Sequence, residues 1–123
     1  MSTRSTIGYV KKDGSVTAVY CHYDGYPEHM VGAIEGFISL RGVQKFMSEV
    51  RRAQKKGGVR SFHPYAIETF SDAAAWDCSY TREDIKEGTY EEYCYLVDSR
   101  SGEIVEFYDH EGSTLKTMRE RSQ

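Results

Sequence analysis

Two runs of alternating apolar and polar residues near the start of the chain predict a β-hairpin. The runs Thr6–Val10 and Val16–Cys21 are rich in β-branched and aromatic residues, and Asp13-Gly14 lies between them. An Asp-Gly pair suits the positive φ angles of a two-residue type I′ turn. Such a turn would pair Lys12 with Ser15, and this pairing would fix the register of the whole hairpin.

After this hairpin the apolar residues change to a helical period. Gly25 and Pro27 suit a turn that leads into the first position of a helix. One helix is predicted from Pro27 to Arg41-Gly42, and a second from Val43 to Gly57-Gly58. Spacings of three and four between apolar residues are typical of helices that pack on a sheet. The residues are Met30, Ile34, Phe37 and Ile38 in the first helix and Val43, Phe46, Met47, Val50 and Ala53 in the second.

A second hairpin is predicted between Tyr90–Val97 and Glu103–Tyr108, with Gly102 in a left-handed conformation at the end of the loop. If Asp98 pairs with Glu103, one face of this hairpin is apolar and belongs to the core. That face carries Leu96 opposite Val105 and Cys94 opposite Phe107. The other face is expected to meet solvent or a partner. It carries Tyr93, Tyr95, Glu106 and Tyr108.

The stretch 59–88 gives shorter signals. A short strand is expected between Phe62 and Phe70, and Ser71-Asp72 could cap a helical turn that runs through Trp76. Thr81 with Asp84 resembles the two ends of a capping box, which predicts a further short helix.

A short helix is expected to close the chain, with Ser113 as its cap and Leu115 and Met118 pointing inward. The predicted fold class is therefore α+β: a mainly antiparallel sheet of two hairpins, packed against two helices, with a short C-terminal helix. A chain of 123 residues is a natural size for one domain, so residues 1–123 are expected to form a single unit.

Composition narrows the setting in which the protein works. No apolar run approaches the roughly 20 residues of a membrane span, and the N-terminus lacks the apolar stretch of a signal peptide. A cytoplasmic location without a membrane partner is expected. Three cysteines at wide and unequal spacing, Cys21, Cys78 and Cys94, are neither a disulfide framework nor a zinc motif. They are expected to be reduced and mostly buried.

The net charge of −3 is unevenly divided along the chain. Residues 41–60 contain seven basic residues and one acidic residue, a balance of +6, whereas residues 61–111 contain thirteen acidic and three basic residues, a balance of −10. The second helix is a candidate anion-binding surface for a small phosphate-bearing ligand or a protein. Nucleic acid is not favoured, because the chain as a whole is acidic. The candidate residues are Lys45, Arg51, Arg52, Lys55 and Lys56.

Two catalytic alternatives remain open at this point. Cys21 and His22 are adjacent on a predicted strand and point to opposite faces, so they cannot both bind one metal ion without distortion. A site of His22 and Asp24 with a distant His63 or Cys78 would still be compatible with the sequence, as would a cysteine nucleophile paired with a histidine. Neither has a local signature, and we expect no metal or other cofactor.

The N-terminal region resembles a known group of proteins. Ser2-Thr3-Arg4-Ser5-Thr6-Ile7 and the later segment Tyr20–Glu28 are similar to the S-T-R-S-x-I and Y-C-H-W-D-G-Y-P-E motifs of small, largely uncharacterised proteins carried by bacteriophages and prophages. Tyr23 stands where that pattern has tryptophan. The resemblance covers about the first thirty residues and implies a phage setting, hence the cytoplasm of the host cell, without implying an activity.

The predicted hairpin register brings these two motifs together. Arg4 would lie opposite Tyr23, and Ser5 opposite His22, so that one polar patch forms at the strand ends. An arginine over an aromatic ring beside histidine suits an anion or a nucleotide. An alternative is a structural clasp in which Asp24 pairs with Arg4. The candidate binding residues are Arg4, Ser5, His22, Tyr23, Asp24 and Tyr26.

Two classes of function follow. The first is a non-enzymatic phage accessory protein that acts by binding, engaging a host immune protein or sequestering a nucleotide signal to blunt a host defence. The second is a small hydrolase or nuclease that uses His22, Asp24 and Arg4, with or without a metal. A homo-oligomer is compatible with either class.

Overall fold

The strands of the protein form one mixed sheet. The computed structural model describes residues 2–71 and 77–123, in which four helices and seven strands are found, and the fold is α+β as the sequence predicts. The first half contains β1 (Ser5–Val10), β2 (Val16–Cys21), α1 (Pro27–Arg41), α2 (Val43–Gln54), β3 (Val59–Phe62) and β4 (Ile67–Thr69). The second half contains β5 (Ser79–Tyr80), α3 (Arg82–Lys86), β6 (Tyr93–Asp98), β7 (Ile104–Asp109) and α4 (Leu115–Arg121).

The sheet has the strand order β4-β3-β2-β1-β6-β7, and β5 pairs separately with β2. Four pairings are antiparallel, so the sheet is mainly antiparallel as predicted. The two hairpins are joined through a parallel pairing of β1 with β6, and β2 also runs parallel to β3. These two parallel pairings make the sheet mixed. In the resulting order β2 and β1 are the two middle strands, and β6 lies between β1 and the edge strand β7.

Each face of the sheet has its own core. The larger one lies under α1 and α2, where Phe37 and Phe46 pack around Phe62 with ring centroids 5.6 and 6.0 Å apart. Both helices begin where their apolar spacing predicts, at Pro27 and Val43, and α1 also ends as predicted, but α2 ends at Gln54 and not at Gly57-Gly58. The smaller core lies on the opposite face, where Ile85 of α3 covers Leu96. The two cores together keep the central strands dry on both sides.

The first hairpin differs from the prediction by one residue in register. Ser5 pairs with Cys21 and Val10 with Val16. Lys11, rather than Lys12, bonds to Ser15, and the Gly14 N–H donates to the Lys11 carbonyl at 2.9 Å. Gly14 has a φ of 87°, whereas neither residue before it has a positive φ, so the loop has three residues and ends in a left-handed glycine. The predicted oppositions of Arg4 with Tyr23 and of Ser5 with His22 are therefore wrong.

The second hairpin begins as predicted and then shifts. The Asp98 N–H donates to the Glu103 carbonyl at 2.8 Å, and Gly102 has a φ of 77°. A bulge next to Val97 then changes the register, so Tyr95 lies opposite Phe107. Tyr95 is fully buried under the helices, and the prediction that it faces solvent is wrong.

The smaller elements agree in part with the sequence. The expected strand between Phe62 and Phe70 is a hairpin of β3 and β4, and Thr81 and Asp84 form the predicted capping box of α3. The helical turn expected from Ser71-Asp72 to Trp76 lies outside the described residues. The cap of α4 is Thr114 instead of Ser113, because the Thr114 hydroxyl accepts the Thr117 N–H.

One residue after that cap, Leu115 is exposed and only Met118 points inward. The prediction for the inner face of α4 is therefore half correct. None of the described helices combines the length and apolar character needed to cross a membrane.

An ion pair fixes α3 to β7 on the second face. Arg82 donates to both carboxylate oxygens of Glu106 at 2.7 and 2.8 Å, and Tyr108 donates to the same carboxylate at 2.5 Å. The hydrogen bonds from Arg82 hold the pKa of Glu106 below its ordinary value, although burial opposes this. The folded state therefore favours the ionised carboxylate.

Replacing Glu106 with glutamine is expected to lower the free energy of unfolding by about 1 kcal/mol at neutral pH, since both partners keep some contact with solvent. The folded pKa of Glu106 is lowered, so its contribution is complete above the ordinary glutamate pKa of about 4.3 and fades as the pH falls through the folded pKa. Urea unfolding of both proteins at pH 7 and at acid pH should show a difference that shrinks on acidification. A difference that grows on acidification would contradict this assignment.

Candidate binding site

The N-terminal segment and the turn after β2 lie side by side. The Gly25 N–H donates to the Thr3 carbonyl at 2.9 Å, and the Tyr95 hydroxyl donates to the Gly25 carbonyl at 2.6 Å. Backbone bonds from His22 to Val59 and from Tyr23 to Arg60 hold the other side of the turn against β3. The two motifs are thus neighbours, as the sequence predicts, although backbone bonds rather than the predicted side-chain oppositions connect them.

His22 is the centre of a cluster of rings at this end of the sheet. Its Nδ1 lies 2.5 Å from the Tyr20 hydroxyl, and its Nε2 lies 3.4 Å from the Ser2 hydroxyl. The ring of Tyr23 meets the imidazole edge-on with centroids 4.5 Å apart, and the ring of Phe70 does so at 5.8 Å. Both imidazole nitrogens have a hydroxyl neighbour, so the orientation of the ring is fixed.

Arg4 adds a cation to this cluster. Its guanidinium lies close enough to the Tyr20 hydroxyl to counter the effect of burial, which raises the pKa of Tyr20. The side chain is exposed, and among residues 2–71 and 77–123 no carboxylate comes within salt-bridge distance of it. We define the His22 patch as Arg4, Tyr20, His22, Tyr23 and Phe70.

Asp24 turns away from this patch. It adopts a φ of 55°, a left-handed conformation that asparagine and aspartate tolerate better than most residues. Its carboxylate lies beside the Tyr26 hydroxyl, and its charge raises the pKa of that hydroxyl. The predicted clasp between Arg4 and Asp24 is not formed.

Ser5, another candidate, is fully buried and does not belong to the surface. Gly25 lies directly over it, since a Cβ at Gly25 would come within 2.7 Å of the Ser5 Cβ. Cys21 is buried opposite Ser5, and burial raises the pKa of its thiol to about 12. Such a thiol stays protonated at neutral pH, which does not suit a nucleophile.

The basic residues of α2 divide into two groups. Lys45 and Arg52 both pair with Glu49, and Arg51 donates to the Tyr9 hydroxyl at 3.0 Å. These contacts occupy three of the five cations that the sequence identifies. Lys55 and Lys56 are exposed at the C-terminal end of α2, where positive charge also offsets the helix dipole.

The C-terminal end of α2 and the His22 patch belong to one surface. Arg52 reaches Thr69 at 3.4 Å, and the N–H of the following residue, Phe70, donates to the Gly58 carbonyl at 3.1 Å. Gly58 in turn packs against Tyr20, to whose side chain a Cβ at Gly58 would come within 3.2 Å. The two sets of candidates predicted separately from the sequence therefore lie around one end of the strands, where β2 ends and β3 begins.

Sequence reasoning missed Tyr20 and Phe70 as members of the patch. Tyr20 lies two residues before His22 along the same extended segment, and this spacing puts both side chains on one side of a strand. That signal was available in the sequence. The position of Phe70 depends on the pairing of β3 with β4 and had no local signal.

An acidic groove lies at the same end of the strands, toward β7. This shallow groove of about 200 Å³ is lined by Glu92, Tyr93, Asp109, His110 and Glu111. Tyr93 lies opposite Ser5 in the parallel pairing of β1 with β6, so the groove begins one strand away from Arg4. In the described part of the chain, no three histidine, cysteine, aspartate or glutamate side chains are placed to hold a metal ion. The charge at this end of the sheet therefore changes from positive beside Lys55 and Lys56 to negative at the groove.

Comparisons of the chain with protein-family models, with curated proteins and with solved structures found no match.

Proposed function

We propose that this protein acts by binding and that its ligand is an anionic, nucleotide-type molecule held at the His22 patch. The observation that carries the proposal is Arg4, an exposed guanidinium beside the Tyr20 hydroxyl with no carboxylate within salt-bridge distance among the described residues. In the same patch the imidazole of His22 contacts the rings of Tyr23 and Phe70. The arginine guanidinium can form two parallel hydrogen bonds to the oxygens of one phosphate. Aromatic rings stack on nucleotide bases of any identity.

The neighbouring charges support the same ligand class. Lys55 and Lys56 extend the positive charge beyond Phe70, whereas the acidic groove begins on β6, one strand away from Arg4. An anion would therefore be attracted to the side of the patch that carries Lys55 and Lys56 and repelled from the side toward β7. The net charge of −3 argues against a long nucleic acid, which would have to pass the acidic surfaces as well.

The setting we propose comes from the N-terminal motifs. The resemblance to phage and prophage proteins suggests an accessory role in the cytoplasm of an infected host cell, in which the protein blunts a host defence by sequestering a nucleotide signal. A host immune protein is the second candidate partner. Tyr23 in the patch and Tyr26 after it favour this candidate, because both rings are more than one-third exposed and tyrosine is enriched in protein interfaces.

A hydrolase or nuclease receives less support from the geometry. Hydrolysis would require His22 and Asp24 to act on one substrate atom. His22 is instead hydrogen-bonded to Tyr20, whereas Asp24 lies beside Tyr26. Binding without turnover is the activity that the arrangement supports best.

Native mass spectrometry of the protein purified from infected or expressing cells should show a retained anionic ligand. Turnover of that ligand by the purified protein would instead support the hydrolase.

Replacing Arg4 with alanine is expected to weaken nucleotide binding at least about tenfold, because a hydrogen bond to a charged group contributes about 1.5–3 kcal/mol. The midpoint of thermal unfolding should change little, since the Arg4 side chain is exposed and forms no ion pair with the residues that the structure describes. Calorimetric titration with mononucleotides and dinucleotides measures the affinity, and a phage-protection assay measures the activity.

Arg100→Ala is the matched control for this experiment. Arg100 is an exposed arginine in the turn between β6 and β7, and its replacement should leave binding unchanged. Equal affinity of the Arg4→Ala variant and the unmodified protein would refute the proposed site. If Arg4→Ala instead lowers the unfolding temperature by several degrees, its role is structural.

A further inference from the structure

Two exposed apolar side chains lie together on the outer side of α1. Leu40 is 70% exposed and Tyr65 is 67% exposed, more than any other large apolar side chain that the structure describes. Leu40 lies one helical turn after Gly36, and Gly36 is in contact with Pro64, the residue before Tyr65. We define the α1 face as the surface formed by His29, Gly32, Gly36, Leu40, His63 and Tyr65.

The loop that carries Tyr65 is held firmly to α1. The His29 Nε2 lies 2.8 Å from the Phe62 carbonyl, and Arg41 donates to the Tyr65 carbonyl at 3.2 Å. The ring of His63 stacks on Tyr65 with centroids 5.4 Å apart and planes 12° apart. These contacts fix the loop without burying Tyr65. A partner that docks there would lose little free energy in ordering it.

No contact within the described chain requires a glycine at position 32. It is exposed in the middle of α1, and a Cβ built on it would have no atom within 4 Å. Glycine at such a position costs about 1 kcal/mol relative to alanine. A glycine on an exposed helix face lets a second backbone approach closely, since the distance between packed helices depends on the side chains at their contact.

The charge of the α1 face limits what can cover it. The face has no lysine, arginine, aspartate or glutamate of its own. Two of the ionic groups that border it are in ion pairs, because Glu28 pairs with Arg121 and Glu35 with Arg119. Arg41 donates to the Tyr65 carbonyl and keeps its charge at the C-terminal end of the face. Around Gly32 a strongly charged partner would find no countercharge, whereas a neutral aromatic surface would fit.

We propose that a second copy of this chain covers the α1 face, with the two α1 helices crossing near Gly32. The Tyr65 hydroxyl carries both a donor and an acceptor, so the face can bond to a copy of itself, as a two-fold contact requires. The two copies meet without like charges opposite each other. This homodimer is independent of the ligand proposed for the His22 patch.

A cysteine at position 32 tests the crossing point directly. Because the two-fold axis passes near Gly32, the Gly32→Cys variant should form a disulfide between copies under mild oxidation. The three native thiols are buried and should stay unmodified in the folded protein. Leu115→Cys, at an exposed position on α4, is the control and should cross-link only at the rate of random collision. Equal cross-linking of the two variants would overturn the proposal.

Sedimentation equilibrium of the full chain provides the second measurement. The expected mass is twice 14.1 kDa, and the Leu40→Ser and Tyr65→Ser double variant is expected to sediment at 14.1 kDa with its thermal unfolding little changed. Both side chains are exposed, so the substitutions should not impair folding. A monomeric unmodified protein at every concentration, or a dimer that persists in the double variant, would show that the α1 face is not the dimer contact.

Discussion

A Gly8→Ala variant is expected to lose about 3 kcal/mol or more of folding free energy, although the substitution adds only one methyl group. Gly8 lies on β1 opposite Ala18 of β2, at the centre of the sheet. A Cβ at Gly8 would come 2.2 Å from the Thr17 carbonyl oxygen and 2.5 Å from the Ala18 Cα. Both atoms are backbone, so the clash can be relieved only by separating β1 from β2.

Thermal unfolding followed by circular dichroism checks this prediction, and the midpoint should fall by about 10 °C or more. Gly32→Ala is the control, because it adds the same group where nothing lies within 4 Å. That variant, measured at a concentration low enough to keep the chain monomeric, should be stabilised by up to about 1 kcal/mol. If Gly8→Ala unfolds at the same temperature as the unmodified protein, the close approach of β1 to β2 is wrong.

The elements of the first hairpin could be predicted from the sequence, but its register could not. Asp13-Gly14 is compatible with a two-residue loop and with a three-residue loop that ends in a left-handed glycine. In the folded chain the Asp13 carboxylate accepts bonds from the N–H and the hydroxyl of Ser15, which stabilises the longer loop. The difference of one residue reverses which side chains share a face, and the predicted contents of the polar patch were wrong for that reason.

The second hairpin shows a different limit. Its alternating pattern suggested one buried and one exposed face, but β6 is covered on both faces because it pairs in parallel with β1 at the centre of the sheet. The unbroken apolar run Cys94–Val97 is typical of a strand that is buried on both faces. This run was the signal in the sequence that could have corrected the prediction. Pairing between strands almost ninety residues apart depends on the whole fold and leaves no local mark.

The location of the candidate site could be predicted from the sequence, but its side-chain contacts could not. The N-terminal motif and the turn after β2 had to be neighbours once a hairpin joined them, and they are. The direction of Asp24 depends on a left-handed backbone that its sequence neighbours do not specify. The His22 patch lies beside the basic end of α2 because β3 pairs with β4. These two strands belong to the stretch 59–88, in which the sequence pattern is weak.

Tyr95 connects the core to this site. It is fully buried among the rings of Tyr93 and Phe107, and its hydroxyl donates to the Gly25 carbonyl at 2.6 Å. Burial raises its pKa, so the hydroxyl is a protonated donor at neutral pH. The turn that presents His22 is therefore attached to the inner strand β6 through one buried hydrogen bond.

Tyr95→Ala is expected to lower the free energy of unfolding by about 3–5 kcal/mol, because it leaves a cavity and removes the hydrogen bond to the buried Gly25 carbonyl. Tyr95→Phe keeps the ring and removes only the hydrogen bond, so it should cost about 1–3 kcal/mol, the penalty for an unsatisfied buried carbonyl. In that variant the Gly25 amide, bonded to Thr3, should exchange with solvent faster, because the turn loses its attachment to β6.

Tyr93→Phe is the control on the same strand face, where the hydroxyl is only partly buried and meets Arg121 at 3.4 Å. Equal unfolding temperatures and equal Gly25 exchange in Tyr95→Phe and the unmodified protein would show that the turn holds its shape without β6, and the geometry of the His22 patch would then rest on Thr3 and β3 alone.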